Sequence, residues 1–252
     1  MSVFSRRKKI EKKFEKKERK KKSFFSKKRF EDVNNYKESL ENSFGAFVDF
    51  TLLDPRTTRD DIDELCSIAY KNKYYCVIVP PMFVSYAKKL INDNYSGAIK
   101  VGSVVGFPLG NTSSKSKIYE VKQLIKDGAD EIDVMVNLSL VKMSEYNMLR
   151  AELNRISRIA KKITLKVVIE NAYLTDAEIE RLVKIIIKSK ADYIMTSTGY
   201  APAGATVELV EKLYNLASNK IGIKAAGGIK TRLDAESFIR LGASRIGTSR
   251  II

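Results

Sequence analysis

The chain has 252 residues, 44% of them hydrophobic, and a formal net charge of +16. It contains no histidine, so no imidazole can serve as a general base or a metal ligand. The two cysteines, Cys66 and Cys76, are too few for a disulfide framework, and without histidine no Cys/His zinc site is possible. This composition excludes a Ser-His-Asp or Cys-His hydrolase, and we expect neither a metal nor a cofactor.

The excess positive charge is concentrated at the N-terminus. Residues 1–30 contain fifteen Lys or Arg and only three Glu, whereas the rest of the chain holds 31 basic and 27 acidic residues. We therefore interpret residues 1–33 as a basic tail, disordered or a lone helix, and residues 34–252 as one globular domain. No apolar run approaches the ~18 residues of a membrane helix, and no secretory signal precedes the domain, so we expect a cytoplasmic location.

The composition of the tail suggests a binding function. Dense Lys and Arg with interleaved Phe suit RNA, a ribosomal surface or an anionic membrane surface, although a merely solubilising segment is the alternative. The residues that would contact the polyanion are Arg6, Arg7, Lys8, Lys9, Lys12, Lys13, Lys16, Lys17, Arg19, Lys20, Lys21 and Lys22.

Beyond the tail, short β-branched or apolar runs alternate with amphipathic helical stretches. The runs cover residues 46–51, 74–79, 99–105, 131–136, 165–169, 192–196, 222–226 and 245–248. Seven helical segments lie between them, and Thr58 with Asp61 and Thr175 with Glu178 have the spacing of capping boxes. Eight strands joined by helices predict an α/β fold, a closed (β/α)8 TIM barrel. An open doubly wound sheet is the alternative, but no glycine-rich dinucleotide fingerprint follows the first strand.

Functional groups of such barrels lie at the C-terminal ends of the strands. These ends carry the motifs DFTLL (49–53), GFPLG (106–110), GADEID (128–133), LKVVIE (165–170), TSTG (196–199) with GAT (204–206), KAAGGI (224–229) and GTS (247–249). Together, over about residues 46–250, they resemble the deoxyribose-phosphate aldolases, a family of class I aldolases.

The resemblance implies chemistry through a lysine on strand 6, whose amine forms a Schiff base with a carbonyl substrate. A second lysine on strand 7 matches Lys224, and an aspartate that assists proton transfer matches Asp133. The Schiff-base position itself is Met195, and a thioether cannot condense with a carbonyl. Further departures from the family pattern are Phe50 for a histidine, Pro80-Pro81 for Asn-Pro, Ala226 for a serine and Arg250 for a serine.

Because several positions differ, we expect a catalytically inactive homologue. The alternative is an active 2-deoxy-D-ribose 5-phosphate aldolase that uses Lys224, or less readily Lys166, as the nucleophile. A purely structural role also stays open, in which Asp133 and Lys224 form an ion pair that Lys166 and Glu170 could join.

The loops after strands 6, 7 and 8 predict a phosphate pocket. Backbone N–H groups of Gly199, Gly227, Gly228 and Ser249 could bind phosphate oxygens, and Arg250 adds a cation. Alternatively, these glycines only make tight turns. The partners we consider for the domain are a sugar phosphate and further copies of the chain in a homo-oligomer.

Overall fold

Parallel strands close into a barrel in the computed structural model, which describes residues 44–252. The strands are β1 (Val48–Thr51), β2 (Cys76–Ile78), β3 (Lys100–Val105), β4 (Glu131–Met135), β5 (Thr164–Val168), β6 (Tyr193–Met195), β7 (Gly222–Ala226) and β8 (Arg245–Thr248). Each strand pairs with the next one in the chain, and β1 pairs with β8 in parallel, Asp49 opposite Gly247. The predicted TIM barrel is confirmed, and the open-sheet alternative is wrong.

Helices cover the outside of the barrel. In the described part of the chain they are α1 (Arg59–Lys71), α2 (Val84–Tyr95), α3 (Ser114–Lys126), α4 (Leu138–Lys142), α5 (Tyr146–Ile159), α6 (Asp176–Ser189), α7 (Val207–Ala217) and α8 (Arg232–Arg240). The prediction of seven helical segments missed one, because the connection from β4 to β5 contains both α4 and α5. Ser144 separates them with a φ of +59°, a left-handed conformation that a continuing helix cannot adopt.

Local sequence signals explain where the helices begin. The side chain of Thr58 accepts a hydrogen bond from the backbone N–H of Asp61, whose carboxylate accepts one from the N–H of Thr58. Thr175 and Glu178 form the same reciprocal pair at the start of α6. Both predicted capping boxes are confirmed, and each satisfies N–H groups that the first helical turn leaves unpaired.

Strand alternation separates two kinds of core. On β4, Ile132 and Val134 are fully buried among the helices, whereas Glu131 and Asp133 face the barrel interior. The helix layer also contains a buried ion pair, in which Lys117 of α3 lies 2.9 Å from Glu152 of α5. The lysine amine also donates to the carbonyl of Met135, so it anchors α3 to the end of β4.

The predicted basic tail, with all its proposed polyanion-binding residues, lies outside the described residues. Within residues 44–252, no helix is long and apolar enough to cross a membrane. Cys66 and Cys76 are both buried and unbridged.

Candidate active site at the barrel mouth

A cluster of charged side chains occupies the middle of the barrel. Lys166 lies against Glu131, 3.0 Å from Asp133 and 3.4 Å from Asp49. Lys224 lies 2.7 Å from both Asp49 and Asp133. The cluster contains three carboxylates. Arg245 is its third cation, so the formal charges cancel.

Arg245 completes this cluster on the side of the N-terminal ends of the strands. Its guanidinium donates to Asp49 over 2.7 Å and to Glu131 over 3.3 Å and 3.4 Å. It also lies 4.0 Å from the centre of the Tyr75 ring and 5.4 Å from that of Tyr193, within cation–π range. We call Asp49, Glu131, Asp133, Lys166, Lys224 and Arg245 the interior charge cluster.

Opposite charges within the interior charge cluster stabilise the charged forms of Asp49 and Lys166. Burial alone would raise the pKa of Asp49, but Lys166, Lys224 and Arg245 lower it well below its usual range. Burial likewise opposes the charge on Lys166, yet Asp133, Asp49 and Glu131 raise its pKa well above the ordinary lysine value. Lys166 is therefore a protonated structural cation and a poor nucleophile.

The donor set inside the barrel does not fit a metal ion. Asp49, Glu131 and the thiol of Cys76 come within 4.8 Å of one another. The two carboxylates already bind Lys166 and Arg245, which occupy the space and supply the charge that a metal would bring. Burial, then Glu131 and Asp49, raise the pKa of Cys76 well above its ordinary value, which disfavours the thiolate that a metal requires.

A cavity of about 490 Å³ opens above the interior charge cluster, at the C-terminal ends of the strands. We call it the mouth cavity. Asp133 and Met195 line it, together with every residue that the sequence predicts for phosphate binding: Gly199, Gly227, Gly228, Ser249 and Arg250. Its volume lies within the range of small-molecule sites.

Two glycines of the mouth cavity adopt backbone conformations that other residues avoid. Gly227 has a φ of +86°, and a Cβ there would lie 2.5 Å from the Ser197 hydroxyl. Gly228 has a φ of +79° and nothing within 4 Å of its Cβ position. Among residues 44–252, neither N–H donates to a protein acceptor, so both are available to an anionic ligand.

Met195 and Lys224 are neighbours on adjacent strands. Their Cα atoms are register partners between β6 and β7. Met195 reaches the wall of the mouth cavity, whereas the amine of Lys224 lies behind Asp133 and donates to its Oδ2 over 2.7 Å. The predicted ion pair between Asp133 and Lys224 is present, and Lys166 joins it as expected.

Two of the positions that the resemblance marks as departures lie away from the mouth cavity. Phe50 follows Asp49 on β1 and points to the opposite face of the sheet, where its ring lies 5.3 Å from that of Tyr74. Pro80 precedes a short 3-10 helix, Pro81–Phe83, and does not line the cavity either. Among the positions that the resemblance marks as departures, Met195, Ala226 and Arg250 line the mouth cavity, whereas Phe50 and Pro80 do not.

Glu170 does not join the interior charge cluster, which corrects that expectation. Its carboxylate accepts hydrogen bonds from the backbone N–H of Thr198, at 3.2 Å to either oxygen, and from the Thr198 hydroxyl. Burial raises the pKa of Glu170, and the bonds from Thr198 act against that rise. The residue holds the loop after β6, which forms one wall of the mouth cavity.

Sequence patterns missed several members of the site. The predicted site residues did not include Glu131, Asp49 or Arg245. Each of them nevertheless points into the barrel, because inward-facing side chains recur at every second residue of a strand. An aromatic edge was also missed, in which Phe107 and Tyr200 meet with ring centres 5.6 Å apart at the cavity wall.

The fold and the mouth cavity define a barrel of the class that binds its ligand at the C-terminal ends of the strands. The model of the DeoC/LacD family aldolases matches residues 42–246. The chain therefore belongs to this aldolase family.

Individual relatives agree with this membership. The deoxyribose-phosphate aldolase of Mycoplasmoides pirum is 38% identical over 213 residues, which cover 83% of this chain and 95% of the relative. That of Malacoplasma penetrans is 41% identical over 202 residues, covering 80% and 90%. The solved structure of the deoxyribose phosphate aldolase from Aeropyrum pernix superposes with a TM-score of 0.75 at 32% identity, covering 81% of this chain and 86% of that one.

Proposed function

We propose that the barrel is an aldolase of the deoxyribose-phosphate type in which Lys224 supplies the amine. One observation carries this proposal: Asp133 lines the mouth cavity and its Oδ2 accepts a 2.7 Å hydrogen bond from Lys224 Nζ. Asp133 can thus take a proton from the lysine and return it to a bound substrate. The names of the relatives at 37–41% identity support the same reaction class.

The reaction follows from amine chemistry. Once Lys224 has lost a proton, its nitrogen attacks C1 of 2-deoxy-D-ribose 5-phosphate, and loss of water leaves an iminium ion. The C3 hydroxyl then gives up its proton, the C2–C3 bond breaks, and its electron pair moves toward the iminium nitrogen. Glyceraldehyde 3-phosphate leaves, and the two-carbon enamine that stays on the lysine takes up a proton at C2 to become an iminium ion. Hydrolysis of this iminium ion releases acetaldehyde and restores the lysine.

The phosphate end of the substrate would bind across the mouth cavity. The free N–H groups of Gly227 and Gly228 and the guanidinium of Arg250 lie along one side of it. Backbone N–H groups in positive-φ turns form concave anion sites, and a cation strengthens them.

A second candidate function is ligand binding without turnover. It is favoured by Met195, which replaces the Schiff-base lysine of the resemblance, and by the engagement of Lys224 with two carboxylates. In this case the protein retains the sugar-phosphate pocket as an inactive homologue.

Borohydride reduction separates the two candidates. We expect 2-deoxyribose 5-phosphate with borohydride to add one reduced sugar to the protein, and peptide mapping to locate it at Lys224. Unphosphorylated 2-deoxyribose controls for random modification of surface lysines. Substrate that raises the melting temperature without an adduct or cleavage would instead support binding alone, and cleavage without an adduct would exclude a Schiff base.

We also propose that the basic tail binds a polyanion, with RNA or a ribosomal surface favoured over an anionic membrane. Counterion release makes such binding steeply salt-dependent. Removal of residues 1–30 should abolish association with RNA at moderate salt and leave the melting temperature unchanged. A truncated chain that binds RNA as tightly as the full chain would contradict this role.

Assembly into a homo-oligomer is a further proposal, consistent with the tetrameric structure of the A. pernix relative.

A further inference from the structure

A second cavity, of about 740 Å³, lies at the opposite end of the barrel. We call it the N-terminal-face cavity, because its walls include Lys100 and Glu131, the first residues of β3 and β4, and Thr164, the first residue of β5. It is larger than the mouth cavity, and the two have no lining residue in common. A ligand bound here would not contact the proposed substrate.

Five cations surround the N-terminal-face cavity. They are Lys100, Arg158, Lys161, Lys162 and Lys190, and all are exposed. Within residues 44–252, none of these five side chains forms an ion pair with a carboxylate. Arg158 Nε donates to the backbone carbonyl of Asn154, at 3.1 Å.

The acidic residues of the same cavity are already engaged. Asp130 lies 2.6 Å from Lys88, and Glu131 binds Lys166 and Arg245 of the interior charge cluster. Asp192 accepts a hydrogen bond from the backbone N–H of Leu165 at 2.8 Å. The rim therefore presents positive charge that the cavity's own carboxylates do not pair with, which attracts anions.

A buried polar atom also belongs to a residue of the cavity wall. Ser157 lines the cavity, and its hydroxyl oxygen, which is closed to solvent, has no hydrogen-bond partner among the described residues. Buried hydroxyl groups are normally satisfied, so this one retains the capacity for a further hydrogen bond. Basic residues near helix C-termini also interact favourably with the helix dipole, but that effect accounts neither for the concavity nor for the unpaired hydroxyl.

We infer that the N-terminal-face cavity is a binding site for an oligophosphate group, carried by a ligand of nucleotide size. A concave site of this volume fits a small molecule better than a membrane, whose surface is flat. Several lysines around one cavity match a compact chain of phosphates, each of which carries negative charge and accepts several hydrogen bonds.

The test measures the melting temperature of the full chain with inorganic triphosphate. A ligand that binds only the folded barrel should raise it, on the order of 5 °C at a concentration about 100-fold above its Kd. Positive charges of the tail are present in the unfolded chain as well, so triphosphate bound to them alone should produce little shift.

Two double variants decide where the ligand binds. Lys161→Gln with Lys162→Gln should abolish the shift, while Lys122→Gln with Lys184→Gln removes the same charge from exposed helix positions outside both cavities and should retain it. Equal shifts in the two double variants would overturn the proposal. So would a shift that is lost only in Arg250→Gln, because it would assign the triphosphate to the mouth cavity.

Two further ligands identify the source of the phosphate. A nucleoside triphosphate that produces a larger shift than inorganic triphosphate would show that a base adds contacts, and an equal shift would assign the site to the phosphate chain alone. Either result supports an oligophosphate site. A shift that depends on Lys161 and Lys162 with single-stranded RNA, but not with either triphosphate, would contradict it.

Discussion

Lys166→Met should lower the free energy of unfolding by about 3–5 kcal/mol, the usual effect of removing one partner from a buried ion pair. The amine of Lys166 is fully buried and lies between Asp49, Glu131 and Asp133. Methionine approximates the length of the side chain, so loss of packing is small and the uncompensated carboxylate charge dominates. Urea unfolding followed by circular dichroism measures the change.

The pH dependence shows whether charge causes this loss. In the native protein the pKa of Asp49 is lowered, so its stabilising contribution is present above the ordinary aspartate value of about 3.9 and is lost as the pH falls through the folded-state value. Without Lys166, Asp49 loses one of the charges that lower its pKa, so it takes up a proton at higher pH in the folded state. The difference between variant and native protein should therefore narrow as the pH falls from 7 toward 4.

An exposed pair provides the control. Lys89 lies beside Asp93 one turn along α2, with 77% of the lysine side chain accessible. Exposed pairs of this kind contribute little, so Lys89→Met should leave unfolding nearly unchanged. If Lys166→Met behaved like Lys89→Met, or destabilised equally at every pH, the interior charge cluster would not stabilise the barrel as we argue.

The barrel could be predicted from sequence because each strand carries its own local signal. Runs such as 131–136 and 222–226 are rich in β-branched or small apolar residues, and helical periodicity separates them. The first strand begins later than predicted, at Val48, because Phe44–Phe47 forms a 3-10 helix. Ends of elements depend on the contacts of one or two residues, which periodicity does not record.

The interior charge cluster could be predicted only in part. Asp133 and Lys224 were found through the resemblance, but Glu131 and Arg245 lie 114 residues apart and meet only because β8 closes against β1 and the interior is narrow. The buried pair of Lys117 and Glu152 could not be predicted either, because each residue lies in a helix with ordinary polar neighbours. Strand alternation could have excluded Phe50 from the mouth, because successive residues point to opposite faces.

Lys224→Arg should reduce borohydride trapping and cleavage of 2-deoxyribose 5-phosphate by about a thousandfold or more, which corresponds to about 4 kcal/mol of activation free energy. Arginine keeps the positive charge beside Asp49 and Asp133, but its guanidinium stays protonated and does not form a Schiff base. This substitution therefore separates the amine from the charge, which Lys224→Ala would remove together.

Two measurements show whether the loss of trapping in Lys224→Arg comes from the missing amine, and not from misfolding. The circular dichroism spectrum and melting temperature of Lys224→Arg should show an intact barrel, and Lys166→Arg should retain trapping if Lys166 has only a structural role. Trapping that persists in Lys224→Arg and disappears in Lys166→Arg would move the nucleophile to β5. Trapping that persists in both variants would exclude both interior lysines.

Met195→Lys, combined with Lys224→Arg, tests whether an amine at position 195 can react with a substrate in the mouth cavity. Position 195 reaches the cavity wall, so an amine there meets the substrate directly, and the adjacent guanidinium favours its unprotonated form by like-charge repulsion. We expect the adduct to move to the peptide that contains position 195. An adduct there, with none at Lys224 in the native protein, would favour the inactive homologue: the mouth would still accept the sugar phosphate, and the missing amine at position 195 would be what prevents turnover.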